Sequence, residues 1–455
     1  MVGHFPTFWR RDRVGTSFHT QSQLTELLYS KSTICLFTSN FNLFQTKRLM
    51  GIWQAEAAGL LLLQLLLASA FAADLQNLDF ETPPTNIPKN STNQFIPLNS
   101  TINTLPGWSY QGTVQYVISS GQGGNAIYLG QNGKINQNGN QTFKDDLNYD
   151  YLLTFSLKPA QPNCTSPTSV TISVPNRSVV VSFDKKFGNS SSWQTHACYL
   201  GVHGNKELIK LMIENQSTNT TKCGVILDSF ILKLIPNPVS YGYNMLDEFD
   251  NGPVINRQKK NLVLNGGFEV GPAFPNNSFG GVLIGAESNS TQSSLNRWEI
   301  FGTVKYITTN KNYSVPEGVA AIELVSGKLS GVQTTVTLEK GFTYILDVSI
   351  YENNEACIGD FEVGVQAGST VQNFTIERNG KVWGTSFGWH IKADSSVTPI
   401  SIRSFATTKT KDQVLCGPVI DKVIIELLVS YGLKLQISIL FVGIGFLVTL
   451  AQITG

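Results

Sequence analysis

Charged residues are scarce in this chain. Asp, Glu, Lys and Arg make up 14% of its 455 residues and leave a formal net charge of +1. That excludes a polybasic nucleic-acid footprint and the Glu/Lys-rich composition of long helices and coiled coils. Histidine is rarer still, with five residues, and only His196, His203 and His390 fall after residue 50. None has the His-x-x-x-His spacing of a zinc site. Six cysteines are too few for a disulfide-stapled miniprotein, so each folding unit must bury an apolar core of its own. No nucleophile elbow, Walker loop or dinucleotide fingerprint appears. Carboxylate pairs of the glycosidase kind can be drawn from any chain with 32 acidic residues, and they single out nothing here. The sequence reads as non-enzymatic.

Both ends read as addresses. Residues 50–73 run from Met50 through the apolar stretch Leu60–Leu67 to small residues at Ala70 and Ala72. That is the layout of a secretory signal peptide, and the run is short for a membrane span of ~20 residues. Residues 1–49 carry six Lys/Arg and two Asp/Glu, and read as a gene-model extension or leader. The segment 428–455 ends in an apolar run from Leu435 to the terminus, with Ser430 and Gly432 before it. This fits a glycolipid-anchor signal or a transmembrane helix, and either implies membrane attachment. Twelve Asn-x-Ser/Thr sequons stand at Asn90, Asn99, Asn140, Asn163, Asn176, Asn189, Asn215, Asn219, Asn276, Asn289, Asn312 and Asn373. They point to an N-glycosylated, extracellular surface.

The middle is one unit written twice. Trp108 and Gly112-Thr-Val-Gln-Tyr-Val117 recur as Trp298 and Gly302-Thr-Val-Lys-Tyr-Ile307. Ala126-Ile-Tyr-Leu129 recurs as Ala321-Ile-Glu-Leu324, and Tyr151–Leu157 as Tyr344–Ile350. Trp193 matches Trp383, and Cys164 and Cys223 match Cys357 and Cys416. Such in-order self-similarity is a tandem duplication, with copies at 74–236 and 261–427 and a linker at 237–260. Short alternating or β-branched runs, punctuated by Gly, Asn and Pro, predict an all-β pair of sandwiches or jelly rolls. The cysteine placement predicts the bridges Cys164–Cys223 and Cys357–Cys416, with Cys198 left as a buried thiol. Recurrence of the tryptophans favours core packing. Tyr110, Tyr128 and Trp389 lack aromatic counterparts, which makes them the carbohydrate-binding candidates, since a planar ring can cover a sugar face.

Leu78-Asp-Phe-Glu-Thr-Pro-Pro84, Leu105-Pro-Gly-Trp108, Asn265-Gly-Gly-Phe-Glu269, Ser314-Val-Pro-Glu-Gly318 and Cys416-Gly-Pro-Val-Ile-Asp421 resemble the plant domain-of-unknown-function 642 (BIIDXI-like) family of cell-wall proteins. The first copy departs more: its Leu-Asp-Phe-Glu lacks the Asn-Gly of the second. The resemblance implies tandem galactose-binding-like sandwiches, secretion to the wall, and binding of wall polysaccharide or of pectin methylesterase. A purely structural wall glycoprotein is the first alternative and a glycan hydrolase the second. The Gly-x-Phe-Glu and final-strand Asp pattern also resembles jelly-roll carbohydrate-binding modules. That implies a structural calcium in each copy, held by Glu81 with Asp228 and by Glu269 with Asp421.

Overall fold

The computed structural model describes residues 75–87, 94–100, 103–118, 124–138, 149–161, 168–189, 192–203, 209–216, 223–236, 261–276, 280–286, 292–310, 313–325, 327–352, 356–377 and 384–428. The expected leader, signal peptide, linker and C-terminal anchor lie outside them. So do Cys164, Trp383 and the sequons at Asn90, Asn140, Asn163, Asn219, Asn289 and Asn312.

The first copy contributes eleven described strands: β1 (Phe95–Pro97), β2 (Ser109–Gln111), β3 (Val114–Val117), β4 (Ala126–Leu129), β5 (Lys134–Asn138), β6 (Tyr149–Pro159), β7 (Ser169–Val174), β8 (Arg177–Ser182), β9 (Gln194–His203), β10 (Lys210–Asn215) and β11 (Val225–Pro236). The second contributes β12 (Val282–Ile284), β13 (Glu299–Phe301), β14 (Val304–Thr308), β15 (Ala320–Leu324), β16 (Gly331–Thr337), β17 (Thr343–Tyr351), β18 (Cys357–Ile358), β19 (Phe361–Ala367), β20 (Thr370–Ile376), β21 (Gly384–Lys392), β22 (Val397–Ser404), β23 (Thr408–Thr410), β24 (Leu415–Cys416) and β25 (Val419–Leu427). The all-β expectation holds. Burial alternates with period two where one face meets the core, as in β7 and β20, because successive side chains leave a strand on opposite faces.

Each copy lays a five-stranded sheet against a larger one. The small sheets run β2-β5-β10-β7-β8 and β13-β16-β22-β19-β20, the same order twice. In the second copy Ile300, Val332, Val363, Val365 and Ile402 of the small sheet join Leu346, Val348, Ile420, Val423 and Ile425 of the large one in a single buried cluster. Cys357 and Cys416 form a disulfide within the small sheet β18-β23-β24, as the cysteine placement predicts. Cys198 is buried in β9, also as expected; Cys223 is half-buried.

The large sheets are not separate. One twelve-stranded sheet runs β1-β3-β4-β11-β6-β9-β12-β14-β15-β25-β17-β21, in which the second six repeat the first six position by position. β9 and β12 pair in parallel, with Thr195, His196 and Ala197 opposite Val282, Leu283 and Ile284. Lys233 Nζ also donates to Gly271 O across the joint at 2.6 Å. The repeat in the sequence therefore marks two sandwiches but not two independent units. In parallel pairing the connection need not be short, so nothing local in the sequence signals it.

Register also corrects one repeat assignment. Leu157 pairs with Gln194 and Ile350 with Thr385, so Trp193 is equivalent to Gly384 rather than to Trp383. The Tyr351 ring lies where a side chain on Gly384 would project, 2.0 Å from an ideal Cβ.

Candidate functional site

The motif residues build a turn that appears in both copies. Asn265 and Phe268 have positive φ (53° and 58°), as do Asn77 and Phe80 (51° and 54°). Asn tolerates this region, whereas a bulky aromatic there is a strained exception held by its surroundings. Asn265 closes the turn by accepting from Val270 N and donating to Val270 O and Asn296 O. Asn77 does the same with Thr82 and Pro106. Trp298 Nε1 donates to Asn265 O at 2.9 Å, Trp108 Nε1 to Asn77 O at 3.0 Å, and Tyr306 and Tyr116 donate to Phe268 O and Phe80 O. The first copy does not lack the motif's asparagine: Asn77 supplies it, with Leu78-Asp79 in place of the two glycines. Both tryptophans are buried core residues.

The four carboxylates assigned to calcium are held by backbone N–H groups. Both oxygens of Glu269 accept from Val319 N, at 3.1 and 3.0 Å, and Glu81 accepts from Asn125 N and Nδ2. Gly318, at φ 69°, leaves room for this approach, since a Cβ there would fall 1.7 Å from Glu269 Oε1. Asp421 accepts from Glu317 N and Lys422 N, and Asp228 from Ser229 N. Lys422 itself pairs with Glu317 at 2.8 Å. Among the described residues no group of three or more His, Cys, Asp and Glu is disposed to hold a metal. Each acid accepts backbone N–H groups and so caps a turn. Burial, with the neighbouring acids adding to it and the backbone donors opposing it, pushes Asp421 up to about 6 and Asp228 up to about 7.

The three aromatic candidates are packing residues. Tyr110 is half-buried between two exposed neighbours and donates its hydroxyl to Asn103 O; burial raises its pKa. Tyr128 meets Phe95 edge-on at 5.8 Å and crowds Gly224. Trp389 closes the open edge of the second sandwich with Phe374 and Phe387, against the core. Asn215 is a further correction. The residue is 7% exposed and its Nδ2 donates to Leu129 O and Gly130 O, which leaves no place for a glycan. Asn99, Asn176, Asn189, Asn276 and Asn373 are exposed.

A different face carries the features of a binding surface. On the outer side of the second five-stranded sheet, Phe301, Gly331, Arg403, Gly364 and Asn373 lie in one row across the strands. The Arg403 guanidinium sits over the Phe301 ring, 4.3 Å from its centroid. The Phe405 ring, 41% exposed, covers Gly364, where a Cβ would meet it at 2.3 Å. A side chain on Gly331 would strike Ile402 O and the Arg403 stem. The neighbouring row, Glu299, Gln333, Ser401, Gln366 and Val371, lines the strip with the amides of Gln333 and Gln366, while Ser401 is buried. Strands spaced ~4.8 Å apart make the reach from Phe301 to Gly364 about 14 Å. The equivalent row of the first copy reads Gln111, Lys134, Glu214, Thr171 and Val180, with no ring and with an acid in the place of Arg403. A glycine inside a strand marks close approach of other groups, and Gly364 was the signal available in the sequence.

The family model described as "Protein of unknown function (DUF642)" matches residues 73–233 and 261–426. The chain belongs to the DUF642 family. Its relatives include Protein TEEBE of Arabidopsis thaliana, 29% identical over 344 residues, covering 71% of this chain and 84% of that one. Protein DUF642 L-galactono-1,4-lactone-responsive gene 2, also of Arabidopsis thaliana, is 29% identical over 372 residues, 77% of this chain and 90% of the relative. Among solved structures, the tandem CBM22-1–CBM22-2 domain of Paenibacillus barcinonensis Xyn10C aligns over 74% of this chain and all of its own, at 12% identity and a TM-score of 0.23. TmCBM61 in complex with β-1,4-galactotriose covers 35% of this DUF642 chain and 97% of its own, at 16% identity and a TM-score of 0.24.

Proposed function

We propose that this DUF642 protein is a non-catalytic, secreted protein of the plant cell wall that holds polysaccharide on the outer face of its second five-stranded sheet. The observation that carries this reading is the strip Phe301–Arg403–Phe405, in which Gly331 and Gly364 leave room for the Arg403 stem and the Phe405 ring to lie against the sheet. The exposed Phe405 ring suits the apolar face of a sugar, and a few convergent polar groups fix orientation. The signal-peptide pattern and the sequons support an extracellular address. The experiment is affinity electrophoresis of the mature chain in gels containing wall polysaccharides. Retardation by at least one polysaccharide, lost in Phe301→Ala and Phe405→Ala, supports the reading. Unretarded migration on every one of them defeats it.

A second reading, binding of a wall enzyme such as pectin methylesterase, is favoured by β21. It is the last strand of the twelve-stranded sheet, and its outer edge offers backbone groups to an added strand. Co-precipitation with the purified esterase tests it.

A further inference from the structure

We infer that the strip on the second five-stranded sheet selects a polysaccharide bearing carboxylates, a polyuronate, through Arg403; this rests on the polysaccharide reading above. Arg403 is exposed in the middle of the row. One face of its guanidinium is covered by Phe301, which orients the planar fork and leaves its edge donors for a ligand. Among the described residues it makes no ion pair. Glu299 and Glu362, the acids on the same face, are not within ion-pair distance of it. A planar cation with five fixed donors fits a carboxylate bidentately and fits a lone hydroxyl less well.

The surroundings match a chain of sugars with one acid seated on Arg403. Phe405, on the side of Arg403 away from Phe301, offers an exposed ring to a flanking residue. Gln333 and Gln366 in the adjacent row offer partners for hydroxyls. The first copy supplies the contrast. Glu214 replaces Arg403 and Lys134 replaces Gly331, so the row's cation has an acid directly opposite it that competes with a uronate, and no ring lies beneath it. One copy is therefore the anion-selective one.

Asn373 closes the far end of the row beside Gly364, so both wild type and Asn373→Gln forms of the full mature chain are used in the test. Isothermal titration with a galacturonic acid hexamer, its methyl-esterified form and neutral gluco- and galacto-hexamers reads the selectivity. The free acid should bind tightest in at least one of the two forms, and esterification should weaken it about ten- to hundred-fold, the worth of a charged hydrogen bond. Affinity for the acid should fall with added salt. Arg403→Gln should abolish the difference between acid and ester, and Arg403→Lys should keep only part of it. Arg403 is exposed, and an unchanged melting curve confirms that each variant folds. Equal binding of acid, ester and neutral hexamers, or an unaltered preference in Arg403→Gln, overturns the inference while leaving polysaccharide binding intact. Absence of binding to every oligosaccharide overturns both.

Discussion

Lys305 and Glu323 form an ion pair at 3.2 Å with side chains only 8% and 0% exposed. The Tyr313 hydroxyl bridges them, accepting from Lys305 and donating to Glu323, and Gly417 N donates to the other Glu323 oxygen. Burial opposes the charged lysine, but Glu323 and Tyr313 outweigh it and hold its pKa above the ordinary value. The first copy has Gln115 opposite Tyr128 at the same place. Glu323→Gln or Lys305→Met alone should cost about 3–5 kcal/mol, because each leaves an unpaired buried charge. The double replacement Lys305→Gln with Glu323→Tyr should cost less than either single change. Urea denaturation of the four proteins checks this.

Asp228 should make stability depend on pH. Its folded pKa, raised to about 7 chiefly by burial, lies above its unfolded value, so the folded state holds the proton longer. The stability it contributes is then lost as pH rises from about 4 to about 7, at roughly 1.4 kcal/mol per pH unit at most. His196, lowered to about 4 by burial, has the opposite slope up to about pH 6.5, so the comparison must be with a variant. Asp228→Asn keeps the Ser229 N–H satisfied, and its advantage over wild type should grow between pH 4 and 7 and then level off. A constant difference across that range would remove Asp228 as the source.

Calcium should be dispensable. Adding a chelator should leave the melting temperature of the mature chain unchanged, whereas Glu269→Ala should lower stability by about 1 kcal/mol or less, since the Val319 N it leaves is exposed to water. A chelator-induced drop in melting temperature that is absent in Glu269→Ala would restore the metal.

The Cys357–Cys416 bridge closes a loop with a sequence separation of 59, and Cys357→Ser with Cys416→Ser should cost about 4 kcal/mol in the chain-entropy account. Non-reducing peptide mapping should recover that bridge and also Cys164–Cys223.

Glycopeptide mapping of plant-expressed protein should find Asn215 bare and glycans among Asn99, Asn176, Asn189, Asn276 and Asn373. A glycan on Asn373 would crowd the Phe405 end of the strip, so Asn373→Gln should bind polysaccharide at least as tightly as wild type. A modified Asn215 would mean that β10 is not paired as described.

The tandem β architecture was legible because duplication repeats its buried positions: Trp108 with Trp298 and Tyr116 with Tyr306 recur as packing partners of one turn. The strip was not legible. Phe301 and Arg403 stand 102 residues apart and meet only through the β13-β16-β22 register. Absence of an aromatic counterpart singles out Tyr110, Tyr128 and Trp389, but a ring without a counterpart can be filling a gap, as Trp389 does beside Phe374. Asn77 is hard to see in the sequence because it sits one residue before Leu78-Asp-Phe-Glu and its neighbours are not glycines. Glu81 and Glu269 suggest a cation because a carboxylate pattern records charge and says nothing of the amides facing it.

The parallel joint of β9 and β12 changes what a fragment of this protein is. Leu98 donates to Val114, so the two-residue period turns Pro97 toward the outer rim of the sheet. At the equivalent place Leu283 faces β9. Proline has no N–H to offer there, so the outer rim at β1 is blunted while the inner seam is fully equipped. Cutting between the copies would bare two matching, unguarded seams, β9 on one half and β12 on the other. Such halves would seek each other or clump, and a fragment boundary placed by the repeat would be a cut through a shared wall.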